Sequence, residues 1–345
     1  MKNRFPVAGA LILLLLAGAA TVFFLWKGNK GTVSSLTEQE TVPEFVFTYA
    51  ENQPKGYPTT QGAEYFAELV YERTDGRIKI NVFSEAELGD ELSVIEQIQY
   101  GGIDFARLSV QSTGEQVPQM NVLQLPYLYR DGEHMWQVLD GELGDEFLSY
   151  LDDYGMVGLS WYDAGVRHFY NSVKPIETLE DMRKMRIRVS DSDLMEAMIN
   201  ALGAKAVRMA YSEVYAGLET GIIDGAENNF PSYESMRHYE VAGYLTLDGH
   251  NRMPETQLAS KATWEKLTKE DQEIIRSCAE ESALYERRLW AEREQAAREY
   301  LEENGCVITE LSQKERLRFR VAMMTIYQEY CSEYIDLVNR ITETY

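Results

Sequence analysis

Apolar and polar positions alternate through Phe45, Phe47 and Tyr49, a period of two that predicts a strand. Ala63, Phe66, Leu69, Val70 and Arg73 then follow helical spacing, and Ile78, Ile80 and Val82 alternate again with Lys79 and Asn81 between them. Val94, Ile95 and Ile98 mark a second helix, and Ile103 to Leu108 reads as a third strand. Val157 to Trp161 and Arg186 to Val189 are also strand-like. Leu194, Met195, Met198, Ile199 and Leu202 share one helical face, and Val214, Tyr215 and Leu218 share another, ahead of a strand-like Ile222-Ile223-Asp224. Repeated β-α-β order argues for an α/β architecture with largely parallel sheets.

The last third of the chain is helical. Thr268-Lys269-Glu270-Asp271 resembles a capping box with Asp in place of the usual Glu, and the helical pattern then runs to Glu303, where Asn304-Gly305 supplies a stop. A helix of that length extends about 54 Å at about 1.5 Å per residue, so it must bend, break or cross between two lobes. A final amphipathic helix is expected over Gln313 to Ile341.

The first thirty residues form a separate object. They hold four bases, Lys2, Arg4, Lys27 and Lys30, and no acid; the 22 residues from Phe5 to Trp26 carry no charge. A spanning helix needs about 20 apolar residues and a signal-peptide core about 7–15. Ala17-Gly18-Ala19-Ala20 offers a cleavage site, but Val22 to Trp26 continues the apolar run past it. Both readings, an uncleaved N-terminal membrane anchor or a cleaved signal peptide, place everything after residue 30 outside the cytoplasm. Residues 31–42 read as a polar linker.

Composition narrows the rest. At 345 residues the chain has room for two domains or one large one, and 45% hydrophobic with 26% charged residues is ordinary for a folded protein. The 33 bases against 56 acids give a net charge of −23; without the four N-terminal bases the remainder carries −27. Nucleic acid and anionic lipid are therefore poor partners, and an anionic ligand requires a local basic pocket. Three cysteines, Cys278, Cys306 and Cys331, support neither a disulfide framework nor a zinc ribbon.

Catalytic patterns are missing. His134, His168, His238 and His250 show no zinc spacing, and no nucleophile elbow, phosphate loop or dinucleotide fingerprint occurs. Asp191-Ser192-Asp193 suits a helix N-cap with first-turn acids better than a metal site. Arginines in strand-like runs remain: Arg188 in Met185-Arg186-Ile187-Arg188-Val189, Arg167 in Gly165-Val166-Arg167-His168, and Arg107 in Phe105-Ala106-Arg107-Leu108. Such arginines are ordinarily solvated or paired with acids. Two near strand ends, with amides nearby, also suit an organic anion, because guanidinium presents a planar fork to a carboxylate.

The run 185–189, then Tyr211-Ser212-Glu213-Val214-Tyr215, then Asp224-Gly225-Ala226-Glu227-Asn228, resembles the solute-binding proteins of tripartite ATP-independent periplasmic (TRAP) transporters. Ala201-Leu202-Gly203-Ala204, Leu88-Gly89, Leu125-Pro126-Tyr127-Leu128 and Leu139-Asp140-Gly141 extend the match over residues 43 to 340. The resemblance implies a two-lobed, periplasmic-binding-protein-like α/β fold with mixed sheets, hinge strands and a long C-terminal helix spanning both lobes. It places lobe I at 43–163 plus 251–290 and lobe II at 164–250 plus 291–330, with 331–345 ending the last helix. It implies capture of an organic acid and delivery to the membrane subunits of a transporter, with no chemistry, no cofactor and no metal. By position Arg188 matches the family's principal carboxylate-binding arginine, Arg167 a second one, and Asn228 an amide that reaches the ligand.

Ser190-Asp191-Ser192-Asp193-Leu194, Glu227 to Ser235, and Leu247-Asp248-Gly249-His250 followed by Pro254-Glu255 resemble the branch that binds hexuronates. Asp248-Gly249 stands where Thr-Glu is expected and Phe230 where Trp is common, so a C4-dicarboxylate or another sugar acid stays open. Asn229 adds a neutral group beside Asn228. Asn52, after the first strand, lies where the other lobe meets ligand; Glu87 and Arg107 are further candidates there, with a structural role equally open. An anchored extracytoplasmic enzyme or sensor acting on a carbohydrate acid is the competing class, disfavoured by the empty catalytic inventory.

Overall fold

A computed structural model describes residues 42–345. The apolar segment and most of the polar linker lie outside the described residues, and among those described no helix is long and apolar enough to cross a membrane. The chain begins with the expected alternation: β1 (Phe45–Ala50), α1 (Pro58–Arg73), β2 (Ile78–Phe83), α2 (Glu91–Gln99) and β3 (Phe105–Ser109). The short α3 (Val110–Gly114), α4 (Gly132–Leu139) and α5 (Glu142–Ser149) lead into β4 (Met156–Tyr162). There follow β5 (Val166–Asn171), β6 (Arg186–Val189), α6 (Asp193–Ala201), β7 (Lys205–Arg208), α7 (Val214–Glu219), β8 (Gly225–Asn228) and α8 (Phe230–Ser235). The remainder is β9 (Tyr244–Arg252), β10 (Glu255–Ser260), α9 (Lys261–Trp264), α10 (Lys269–Glu303), β11 (Val307–Glu310), α11 (Gln313–Cys331) and α12 (Ile335–Glu343).

Local chemistry starts these helices. Pro58 opens α1, where its missing N–H costs nothing. Asp90 and Ser192 accept from the backbone of Ser93 and Met195 to cap α2 and α6, and Thr268 accepts from Asp271 N at 3.1 Å to cap α10. Ser192 is thus a cap, and both flanking acids, Asp191 and Asp193, pair with Arg208.

The strands form two sheets, ordered β2-β1-β3-β10-β4 and β11-β9-β5-β8-β6-β7. Both are mixed rather than largely parallel. β1 pairs in parallel with β2 and β3, as β6 does with β7 and β8, following the β-α-β rule. The antiparallel pairs all involve β5 or β10, the strands entered directly from the other sheet. The chain passes between sheets at Asp163–Gly165 and at Met253–Pro254, connections too short for a helical crossover.

Two more expectations needed revision. Ile222-Ile223-Asp224 is not a strand: the amides of Ile222 and Ile223 both donate to Gly217 O, at 2.9 and 3.2 Å, closing the end of α7 before β8 begins. The last helix is broken at 332–334, because its halves dock on different surfaces. Tyr327 and Tyr330 of α11 donate to Pro126 O and Asp193 O, at 2.7 and 3.0 Å, whereas α12 presents Ile341 O to His134 Nε2 at 2.9 Å.

α10 packs on α1 and β4 in its first half and on α8 in its second. Gly62 lets α1 approach: a Cβ there would sit 3.0 Å from Glu286 Cβ. One apolar cluster, including Phe66, Phe105 and Ile275, fills the space between the first sheet, α1 and α10. A larger one runs from Leu108 and Leu258 through Met120 and Phe147 to Ile187, Val189 and Phe319, joining both sheets to the C-terminal helices.

Candidate ligand-binding cleft

Residues from six strands face one another between the sheets. From the second sheet come Arg188 at the end of β6, Arg167 near the start of β5, and Glu227 and Asn228 at the end of β8. From the first come Glu51 and Asn52 after β1, Arg107 in β3, and Glu255 at the start of β10. Carboxyl ends of parallel strands are where open α/β sheets leave room for a ligand.

The two second-sheet arginines are in opposite states. Arg167 is paired with the Glu227 carboxylate through Nε and Nη2, and its Nη1 donates to Asn228 Oδ1 at 3.0 Å. Burial opposes its charge, but Glu227 outweighs burial and raises its pKa. Arg188 is only 5% exposed, yet among the described residues no carboxylate lies within ion-pair distance of it. Its single hydrogen bond runs from Nε to Met209 O at 2.9 Å, which leaves Nη1 and Nη2 unclaimed. Burial pulls its pKa below the ordinary arginine value, Glu227 offsets this in part, and Arg167 adds to it.

Around Arg188 the polar accounting is also incomplete. Tyr211 lies beside Arg188, Arg167, Ser232 and Gln53, but among the described residues its buried hydroxyl completes no hydrogen bond, and neither does the buried Gln53 Oε1. Asn228 Oδ1 accepts from Arg167 and from Asn229 N, while its Nδ2 has no partner among the described residues. Buried polar groups are normally satisfied, so such a concentration of open positions marks a place for something else.

On the first-sheet side one cation meets three acids. Arg107 contacts Glu51, lies 3.0 Å from Glu91 and 2.7 Å from Glu255, and donates to Asn52 Oδ1. Burial holds Glu255 up at about 7, with Arg107 lowering it and Glu91 and Glu51 raising it. Asn52 Nδ2 donates to Glu91 at 3.0 Å, so both ends of that amide are engaged. Asn229 is likewise occupied: its Oδ1 caps α8 through Ser232 N at 2.8 Å, and its Nδ2 donates to Ala164 O at 2.9 Å. Glu87 is exposed on the turn after β2, with no hydrogen bond or ion pair to the others. The structure therefore brings Arg188, Arg167, Asn228 and Asn229 together, joins Arg107 to Asn52 opposite them, and leaves Glu87 apart.

Tyr57, Gln111 and Glu115 were not singled out from sequence, and they bridge to blocks that were. Tyr57 Oη sits 2.8 Å from Ser232 Oγ, Ser190 Oγ donates to Gln111 at 3.1 Å, and Asp193 N donates to Glu115 at 2.8 Å, all between elements of the two sheets. The unexpected Asp248-Gly249 belongs to a bulge. The β5–β9 register jumps across it, Gly249 takes φ +61°, and its N–H donates to His168 Nδ1 at 3.0 Å. The bulge sets Asp248 Oδ2 2.7 Å from His250 Nδ1, and His250 Nε2 3.5 Å from Glu227. Burial opposes the imidazolium, but Asp248 and Glu227 raise its pKa to about 9. Glu227 is held at about 2 against burial by Arg167 and His250. An Asp-Gly pair inside a strand pattern is the signal that points to such a bulge.

A cleft between two mixed sheets, lined by a buried cation with no acid partner among the described residues, suits the capture of an anionic solute. The chain belongs to family 7 of the bacterial extracellular solute-binding proteins, whose profile matches residues 49–333. A solute-binding protein of Chromohalobacter salexigens is 40% identical over 290 residues, 84% of this chain and 86% of that protein. A TRAP periplasmic solute-binding protein from Sulfitobacter, solved with β-D-galacturonate, superposes with a TM-score of 0.83 at 40% identity, covering 86% of this chain and 99% of that one. Its counterpart from Roseobacter denitrificans, solved with β-D-glucuronate, gives 0.84 at 38%, covering 87% and 100%. The protein is thus an extracytoplasmic solute-binding protein of the TRAP class.

Proposed function

We propose that the protein captures a hexuronate, glucuronate or galacturonate, and presents it to the transporter's membrane subunits. The observation that carries this is the polarity of the cleft. One end offers Arg188 with its fork open; the other offers Glu51, Glu91 and Glu255 around a single Arg107. A carboxylate belongs at the first end. At the second, excess acceptors call for hydroxyl donors, and a second carboxylate would meet like charge. A sugar acid satisfies both; a C4-dicarboxylate satisfies one. The solved relatives holding galacturonate and glucuronate agree with this reading.

In this scheme Arg188 and Asn228 touch the ligand, with Tyr211 and Gln53 completing their open hydrogen bonds on it. Arg167 orients Asn228 and neutralises Glu227; Asn229 and Arg107 hold the walls, and Asn52 positions Glu91. The segments 43–163 with 251–290 and 164–250 with 291–330 act as lobes, and ligand contacts on both sides favour the closed arrangement. A thermal-shift panel tests the ligand: hexuronates are expected above succinate, malate, sialate and neutral hexoses. Greater stabilisation by succinate overturns the sugar-acid assignment.

A further inference from the structure

A cavity of 470 Å³ lies away from the cleft, behind the strands that cross between the sheets. Alternation along β5 separates the two spaces: Arg167 faces the cleft, while Val166 and His168 line the cavity. Along β9, Gly249 and Asn251 line the cavity and His250 turns to Glu227. Its volume is within the range of small-molecule sites.

Four arginines from four elements converge on this cavity: Arg130 before α4, Arg252 at the end of β9, Arg298 in α10 and Arg316 in α11. The acids in the wall are Asp131 and Glu294, so four cations against two acids leave a local charge of +2 in a chain of −23. Asp131 is already occupied capping α4 through His134 N at 2.8 Å. Arg130 donates to Thr344 O, and Arg316 to Leu247 O and Asp248 O; neither has an acid within ion-pair distance among the described residues. Arg252 makes no hydrogen bond there; the nearest acid, Asp163 behind the wall, is 3.8 Å away. Arg298 alone is bonded to an acid, Glu302 at 3.1 Å. The wall also contains Asn251, 2% exposed, whose Oδ1 has no partner among the described residues. Convergent guanidinium groups repel one another, and a concave wall focuses their field, so the cavity attracts what the rest of the surface repels.

We propose that this cavity is a second anion site, taking a small multivalent oxyanion, a phosphate compound or a polycarboxylate. Guanidinium forks match the oxygen geometry of both. None of the arginines and amides of the cleft lines it, whatever solute the cleft holds.

The test is calorimetry on the folded protein at fixed ionic strength with two probes, pyrophosphate and citrate. In the Arg188→Ala background, where the cleft's anion contact is removed, at least one probe is expected to bind with unchanged affinity. Its affinity is expected to fall at least 10-fold in Arg252→Gln and again in Arg298→Gln, the latter a partly exposed side chain whose one bonded acid is Glu302 on its own helix. Which probe binds separates phosphate from carboxylate chemistry. Binding that vanishes with Arg188→Ala, binding that Arg252→Gln and Arg298→Gln leave intact, or no binding of either probe at millimolar concentration overturns the proposal.

Discussion

The contrast between Arg188 and Arg167 gives a prediction with two readouts. Arg188 uses one donor, Nε on Met209 O, and keeps both terminal nitrogens open. Two charge-assisted hydrogen bonds to a ligand carboxylate contribute about 1.5–3 kcal/mol each. Arg188→Ala is therefore expected to weaken hexuronate binding at least 100-fold, about 2.8 kcal/mol at about 1.4 kcal/mol per decade. Arg188→Lys keeps a charge but loses the fork and the Met209 tether, and is expected to bind poorly as well. Without ligand the order reverses. Arg188 is a buried charge with no acid partner, so Arg188→Met should leave the melting temperature of the free protein unchanged or higher. Arg167→Met strands the buried Glu227 and should cost about 3–5 kcal/mol. Calorimetry with hexuronate and melting curves without it separate the two roles. Near-native affinity in Arg188→Lys, or equal destabilisation of the free protein by Arg188→Met and Arg167→Met, would refute the assignment of one arginine to ligand and the other to structure.

Three further outcomes are expected. His250, raised to about 9 from an unfolded value of about 6.5, contributes stability that is full below 6.5 and lost as pH rises through 9; melting temperatures over that range should fall more in wild type than in His250→Gln, and parallel profiles would exclude the effect. Tyr57→Phe removes the bond to Ser232 between the two sheets and should weaken solute binding about 2–10-fold, the equivalent of one ordinary hydrogen bond, as measured by calorimetry. Gly225→Ala would place a Cβ 2.4 Å from Tyr170 O in the neighbouring strand, and an overpacking cost of about 1–3 kcal/mol should appear in urea melts.

Much of this architecture was legible because period-two and period-3.6 patterns report burial directly, as in β1, β2 and α6. The antiparallel placement of β10 was not, since Glu255–Ser260 has the same local pattern whichever neighbours it finds. The break at 332–334 depends on where two halves of a helix dock, which no local residue encodes. In the cleft, the block from Met185 to Val189 drew attention to Arg188. That Arg188 lacks an acid while Arg167 and Arg107 have theirs is a property of pairings between residues 56 and 60 apart and, for Arg107 with Glu255, farther still. Asn229 shows the limit most plainly: beside Asn228 in sequence, it has both amide ends occupied in the fold.

The position of β10 also governs the order in which the molecule can form. In the first sheet it lies between β3 and β4, so a strand more than 90 residues downstream of β4 must insert into the middle of a sheet begun by β1 and β2. Until residue 260 is available, β3 and β4 have no shared partner and the sheet stays open along its centre. The second sheet is completed at its edge only by β11, after the whole of α10. Contacts so distant in sequence are slow to form, because chain closure must precede the gain from pairing. During synthesis the first sheet therefore cannot close until residue 260 has been made, nor the second be completed until residue 310, so the two halves of the cleft are finished late and in that order.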